Sequence, residues 1–220
     1  MPVIGIVNSG SPETERASRM TAFRQGLNES NYVEGHNVTI EYRWAEGRYD
    51  WYSELVADLI RRKVSVITAG ANTPGSLAAK AATSTIPIVF GVGQDPVKLG
   101  LVASLARPGG NATGVNFFIA ELAAKRLALL REMVPSMGRV AVLVNPANAA
   151  NAESTVNDVQ AAAPALGLQI QVFNAGTPRE IDVAFANVGR EHVGPDPLAD
   201  PRRDRAAGRI RRQSSPGTVT

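Results

Sequence analysis

The sequence predicts an α/β fold of two flavodoxin-like lobes, each a parallel sheet flanked by helices, with the second lobe incomplete. Three observations predict it. Short apolar or alternating runs recur between stretches whose apolar residues keep helical spacing, the pattern of a mostly parallel sheet with right-handed crossovers. Five strand-like runs occur by residue 117, enough for one such sheet, and the alternation then starts afresh. Only two further strand-like runs follow before the periodicity stops at residue 188. The resulting segments are an N-terminal lobe over 1–116, a partial second lobe over 117–190 and a tail over 191–220.

Val3–Val7 is an apolar strand with Gly5 inside it. Ala17, Met20, Phe23 and Leu27 recur as one helical face. Val38–Tyr42 alternates apolar and polar, as a strand does. Tyr52, Leu55, Val56, Leu59 and Ile60 form an i, i+3, i+4, i+7, i+8 stripe. Val64–Ala69 reads as a buried strand. Thr73-Pro74 reads as a helix start, with Thr73 as the cap and Pro74 in the first helical position. Ile86–Phe90 and Thr113–Phe117 are the fourth and fifth strands.

In the second series Ala123, Leu127, Leu130 and Val134 stripe a helix stopped by Pro135 and Gly138. Val140–Val144 is a strand. Val156, Val159, Ala163 and Leu166 stripe the next helix, and Leu168–Phe173 is a strand. Thr177-Pro178-Arg179-Glu180 is a capping box opening a helix that carries Ile181, Ala184, Phe185 and Val188.

Composition narrows the chemistry. With 44% hydrophobic and 20% charged residues the chain is an ordinary globular one. No run approaches the roughly 18 apolar residues of a membrane span, and Met1-Pro2 leads into the first strand with no signal-peptide pattern. Zero cysteines exclude disulfides and thiol catalysis, and His36 and His192 are too few for a histidine metal cluster. Residues 1–188 hold sixteen Lys/Arg and sixteen Asp/Glu, so the net +3 resides in the last thirty-two residues. Nucleic-acid binding therefore has little support outside that tail. The tail itself, with arginine doublets, prolines and little apolar content, reads as disordered.

Catalytic patterns are weak. Two remote histidines cannot serve a Ser-His-Asp set. There is no GxxxxGK[ST] loop, and Gly91-x-Gly93 is too short for a dinucleotide fingerprint. Glu41, Glu46, Asp50 and Glu54 fit solvated surface charge. Trp44, Tyr49, Trp51 and Tyr52 gather beside the second strand, as sheet-edge packing or as a stacking face for an aromatic ligand.

The strand ends carry the binding candidates. Open α/β sheets bind ligands at the carboxyl ends of their strands. Asn8-Ser9-Gly10-Ser11 follows the first strand: Ser9 and Ser11 offer hydroxyls to an anion such as a carboxylate, while Ser11 also fits a helix cap before Pro12. Asn72 and Thr73 follow the third strand and offer donors or a cap. Asp95 follows the fourth, able to pair with an α-ammonium or to close an Asx turn before Pro96. Asn116 ends the fifth strand and Asn145 the first strand of the second lobe. Each is a ligand contact or a turn residue, the turn being the stronger reading for Asn145-Pro146-Ala147-Asn148.

The most specific wording is GVGQDPVKLGLVASLARPGGNATGV at 91–115, a polar Gly-rich turn, a helix-like stretch over Val97–Leu105 and a Pro-Gly-Gly turn. With VTIEYRWAEGRYD at 38–50, it closely resembles the solute-binding components of ABC transporters with the type I periplasmic-binding-protein fold. Within them it is similar to the branch with a DPV…GLV.SLARPGGN.TGV signature, some members of which bind aromatic amino acids. The resemblance covers residues 3–188. It implies a two-lobed protein that holds a small amino-acid-like solute between its lobes and delivers it to a membrane permease in the periplasm. It implies no catalysis and no cofactor.

Against the family, roughly a hundred residues that finish lobe two and return to lobe one are missing, so the chain reads as C-terminally truncated. Without a signal peptide the chain as given would stay in the cytoplasm. The rival readings are an enzyme on the same α/β scaffold, for example a nucleotide-dependent one, and a non-functional truncated product. A two-stranded second lobe leaves an open sheet edge and uncovered apolar helix faces such as Leu127, Leu130 and Val134. The chain should therefore bind solute poorly and self-associate. Gel filtration should show oligomers, and a clean monomer with micromolar affinity would contradict that expectation.

Overall fold

The computed structural model describes residues 1–15, 19–119 and 122–190. The predicted 191–220 tail and Ala17 lie outside the described residues. The chain divides into two compact units, Met1–Ala120 and Glu121–Thr220.

In the first unit five strands, β1 (Val3–Asn8), β2 (Thr39–Trp44), β3 (Val66–Ala69), β4 (Ile88–Val92) and β5 (Ala112–Asn116), form one sheet in the order β2-β1-β3-β4-β5. Every neighbouring pair is parallel. This is the flavodoxin-like order, and it reverses between β1 and β3. The helices are α1 (Pro12–Glu15), α2 (Arg19–Glu29), α3 (Tyr52–Arg61) and α4 (Thr73–Ala82).

The register sorts side chains onto two faces. Gly5 pairs with Ile67, Ile67 with Ile88, and Ile88 with Ala112, so these share one face. That face meets α3 and α4: a Cβ on Gly5 would stand 2.8 Å from Leu59 Cδ1, so the absent side chain is what lets α3 approach β1. Val7, Val56, Leu59, Ile67, Ala79, Ile88, Phe90, Val92 and Leu101 form the buried core there. Each large member contributes roughly 1.5–3 kcal/mol by leaving water. On the opposite face Tyr42 receives Arg24 of α2, whose Nη2 donates to the phenol at 2.8 Å. Farther along that face Val89 and Val115 are exposed, at 42% and 58%.

The second unit comprises α5 (Ala123–Met133), β6 (Arg139–Val144), α6 (Ala149–Ala162), β7 (Gln169–Asn174) and α7 (Pro178–Arg190). Its sheet is the parallel pair β6-β7. The capping box forms as predicted: Glu180 N donates to Thr177 Oγ1 at 3.2 Å, and Thr177 N donates to Glu180 Oε2 at 3.0 Å.

Three local expectations are corrected. Leu127, Leu130 and Val134 are not uncovered. Leu127 is buried, and the other two pack on the core of Met137, Val140, Val159, Ala163 and Leu168. Among the described residues the exposed large apolar side chains of this unit are instead Leu122, Leu129, Met133, Val172, Ile181, Val183 and Phe185. Val97–Leu105 is a set of turns and not a helix: Leu101 N and Val102 N both donate to Pro96 O, and Gly100 turns at φ +71°. The reason is tertiary, because this fold-back places Leu101 and Val102 in the core. Tyr52, read as an edge aromatic, is itself a core residue at 2% exposure.

The edge strand β2 is pinned to α3 by charge. Arg43 Nε donates to Asp58 Oδ2 at 2.8 Å, and Arg62 Nε donates to the same oxygen at 3.0 Å. The Arg43 hydrogen bond, assisted by Arg62, holds the Asp58 carboxyl at about 2, below its ordinary 3.8. Because the folded value is the lower one, Asp58 supports folding above about pH 4, and this is lost as pH falls toward about 2. The melting temperature should drop across that window, and the drop should be shallower in Asp58→Asn. Equal slopes would show that Asp58 has no part in acid sensitivity.

Candidate ligand edge of the first sheet

A recurrent local device closes the strand ends. Asn8 Oδ1 accepts from Gly10 N at 3.0 Å, Asp95 Oδ1 from Val97 N at 2.8 Å, and Asn116 Oδ1 from Phe118 N at 2.9 Å. In the second unit Asn145 Oδ1 accepts from Ala147 N at 3.0 Å. These are Asx turns, in which a short polar side chain substitutes for a backbone acceptor. The turn readings of Asp95, Asn116 and Asn145 are therefore realised. Asp95 Oδ2, Asn116 Nδ2 and Asn145 Nδ2 make no bond to another described residue.

Ser9, Asn72, Thr73, Asp95 and Asn116 all lie at the carboxyl edge of the first sheet: Ser9, Asn72 and Asp95 on the loops after β1, β3 and β4, Thr73 opening α4, and Asn116 ending β5. Ser11 shares the loop after β1 and directly precedes α1, whose first residue is Pro12. Asn145 occupies the corresponding edge of the other sheet, after β6.

Asn72, and not Thr73, caps α4. Its Oδ1 accepts from Gly75 N at 3.1 Å, and its Nδ2 donates to Val7 O at 3.2 Å. Pro74 is consequently the second helical residue. Gly75 is demanded by this cap, since a Cβ there would stand 2.4 Å from Asn72 Nδ2. Thr73 is drawn elsewhere: its Oγ1 donates to Gln94 Oε1 at 2.7 Å, with both residues buried. Asn72 and Thr73 thus hold β1, β3 and the loop after β4 together.

Gly91-x-Gly93 has a steric explanation. A Cβ on Gly91 would lie 2.7 Å from Ala71 N, and one on Gly93 would lie 3.3 Å from Ile119. Ala71 is left-handed at φ +52°, so the β3 loop turns sharply beside Gly91. The four aromatics are shared among separate partners. Tyr42 stacks on Trp44 with centroids 5.9 Å apart, and Arg48 covers Trp51 at 3.9 Å. Tyr49 leans on Tyr52 at 6.1 Å.

Sequence reasoning missed three residues of this edge. Asn8 and Gln94 are buried polar residues at the ends of β1 and β4; an Asn two positions before a Gly was the available signal for the first. The third is Tyr52. Burial pushes its phenol up to about 12. Asn72 and Ser9 stand near enough to draw it partly back, yet the buried hydroxyl has no hydrogen-bond partner among the described residues.

Chemically, this edge presents hydroxyls, a carboxylate, an amide and turn backbone at a sheet's switch point. Among the described residues no three His, Cys, Asp or Glu side chains gather closely enough to hold a metal. The family model described as ABC transporter substrate binding protein matches residues 9–193. The chain belongs to this family.

The substrate-binding family membership agrees with individual relatives. The chain is 26% identical over 177 residues to a tyrosine-binding protein of Clostridioides difficile, an alignment covering 80% of this chain and 50% of that one. A crystal structure of a conserved domain protein from Vibrio cholerae superposes with a TM-score of 0.72 at 26% identity, over 86% of this chain and 62% of that one. A Streptococcus pneumoniae ABC domain in complex with L-Trp superposes at 0.70 and 23% identity, over 85% and 61%. This last likeness is one of fold. The chain thus spans about half the length of its curated relative and about three fifths of the solved ones. No described helix is long and apolar enough to cross a membrane.

Proposed function

We propose that this protein is the solute-binding component of an ABC import system and that its solute is an amino acid, aromatic by analogy with the relatives that carry tyrosine or tryptophan. The observation that carries the reading is the polar carboxyl edge at the β1/β3 switch point, in a chain of this family. Ser9 and Ser11 are the donors proposed for the solute carboxylate. Asp95, with Oδ1 committed to its turn and Oδ2 outside it, is the partner proposed for the α-ammonium. Asn116 supplies an amide from β5, and Asn145 presents the same group at the edge of the second unit. Asn72 and Thr73 support the edge from within, Asn72 Nδ2 donating to Val7 O and Thr73 Oγ1 to Gln94 Oε1.

On this reading the protein works outside the inner membrane, hands its solute to a permease and catalyses nothing. Binding is then reversible capture by charge-assisted hydrogen bonds, each worth roughly 1.5–3 kcal/mol.

The test is an amide-resolved NMR titration with L-tryptophan, L-tyrosine, L-leucine and ATP. In keeping with the weak binding expected of this chain, aromatic amino acids should shift the amides of Ser9, Gly10 and Ala71 saturably only in the millimolar range, and ATP should shift none. Asp95→Ala should raise Kd by about tenfold to a hundredfold. No response to any amino acid at millimolar concentration would remove the proposed function. An unchanged Kd in the variant would remove Asp95 from the site.

A further inference from the structure

The Tyr52 hydroxyl is a group that the fold buries and does not satisfy. It sits on the first residue of α3, it is 2% exposed, and its oxygen has no hydrogen-bond partner among the described residues. Such a group is costly, because a buried donor loses its water without recovering a bond. Phenylalanine would fill the same space among Val7, Ala45, Val56 and Tyr49. A tyrosine in this place therefore calls for a reason beyond packing.

Its position supplies one. α3 packs over β1, and the phenol reaches the end of that strand, where Ser9 and Asn72 are its polar neighbours. Asn72 is engaged within the fold, with Nδ2 donating to Val7 O and Oδ1 accepting from Gly75 N. Ser9 is different. It is half-buried on the loop after β1, so unlike the phenol it is partly open to solvent at the carboxyl edge. A serine hydroxyl can accept one hydrogen bond while donating another. A chain of hydrogen bonds that ends on an anion strengthens each link.

We propose that Tyr52 is the positioning residue for Ser9: when a carboxylate occupies the edge, the phenol donates to Ser9 Oγ and Ser9 donates onward to the carboxylate oxygen. The inference rests on the amino-acid-binding reading above and deepens it by naming how the carboxylate is read. No proton is transferred; both hydroxyls keep their protons and only orient them. In the ligand-free protein the phenol's hydrogen-bonding capacity is held in reserve, a local instability recovered on binding.

A double-mutant cycle tests this, with L-tryptophan as the probe and both Kd and melting temperature measured for wild type, Tyr52→Phe, Ser9→Ala and the double variant. Tyr52→Phe should raise the ligand-free melting temperature by about 5 °C, because an unsatisfied hydroxyl is removed. It should also raise Kd about tenfold when Ser9 is present and leave Kd unchanged in the Ser9→Ala background. An unchanged Kd in Tyr52→Phe alone overturns the proposal, as does an equal loss in both backgrounds. A fall in the ligand-free melting temperature also overturns it, since the phenol would then already be bonded. Absence of tryptophan binding by the wild type would bring down the amino-acid-binding reading itself, and is told apart by needing no variant.

Discussion

The carboxyl edge of the first sheet depends on one side chain, Asn72. Backbone pairing between β1 and β3 runs from Ile4–Val66 to Ile6–Thr68 and stops there. The next acceptor along β1, Val7 O, receives Asn72 Nδ2 instead, so the amide continues the ladder one step past the end of the strand pair. The same side chain's oxygen takes Gly75 N and starts α4. At 3% exposure both bonds lie out of water, where they are strong when made and costly when lost. β1 and β3 meet at the point where strand order reverses, and the chain segments that leave them go to opposite faces of the sheet. Asn72 is the covalent neighbour of one strand and the hydrogen-bonded neighbour of the other, and it fixes how the two ends lie.

With that junction fixed, the remaining loops are placed by short local bonds. Thr73 ties β3 to Gln94 beyond β4. Gly91 lets Ala71 pass close by, and Asx turns at Asn8, Asp95 and Asn116 turn the chain just after each strand. The result is an edge whose backbone is held by buried amides and whose outward atoms remain available: a half-buried serine, one carboxylate oxygen and one amide nitrogen. On the proposed reading, rigid support beneath a few half-buried polar groups suits reversible capture, because little ordering remains to be done when a solute arrives.

Most of the architecture was legible because apolar period and turn residues agree over long stretches. The Tyr52–Leu59 stripe, the β4 run and the Thr177–Glu180 box each read the same locally and globally. Where the reading failed, two local solutions were close in energy and a distant residue decided. Asn72 and Thr73 are both good caps and Pro74 fits either first or second helical position; Gln94, twenty-one residues on, claims the Thr73 hydroxyl and leaves the cap to Asn72. Leucines at 99, 101 and 105 have a helical look, but Gly100 and the burial of Leu101 against the sheet favour turns. Leu127 was read as uncovered because its partners Val159 and Leu168 lie more than thirty residues away. The site was legible as positions and not as roles. Strand ends could be placed, but which amide is spent inside the fold depends on atoms the linear pattern does not order, and Tyr52 looked like one aromatic among four.

The most direct measurement of the account is urea unfolding of Asn72→Ala followed by tryptophan fluorescence. Both tryptophans, Trp44 and Trp51, lie in the first unit, so the signal reports that unit alone. Losing the helix cap and leaving Val7 O buried without a donor should lower stability by about 2–4 kcal/mol. A loss under about 0.5 kcal/mol, the range of an ordinary surface substitution, would contradict the claim that this amide holds the carboxyl edge together.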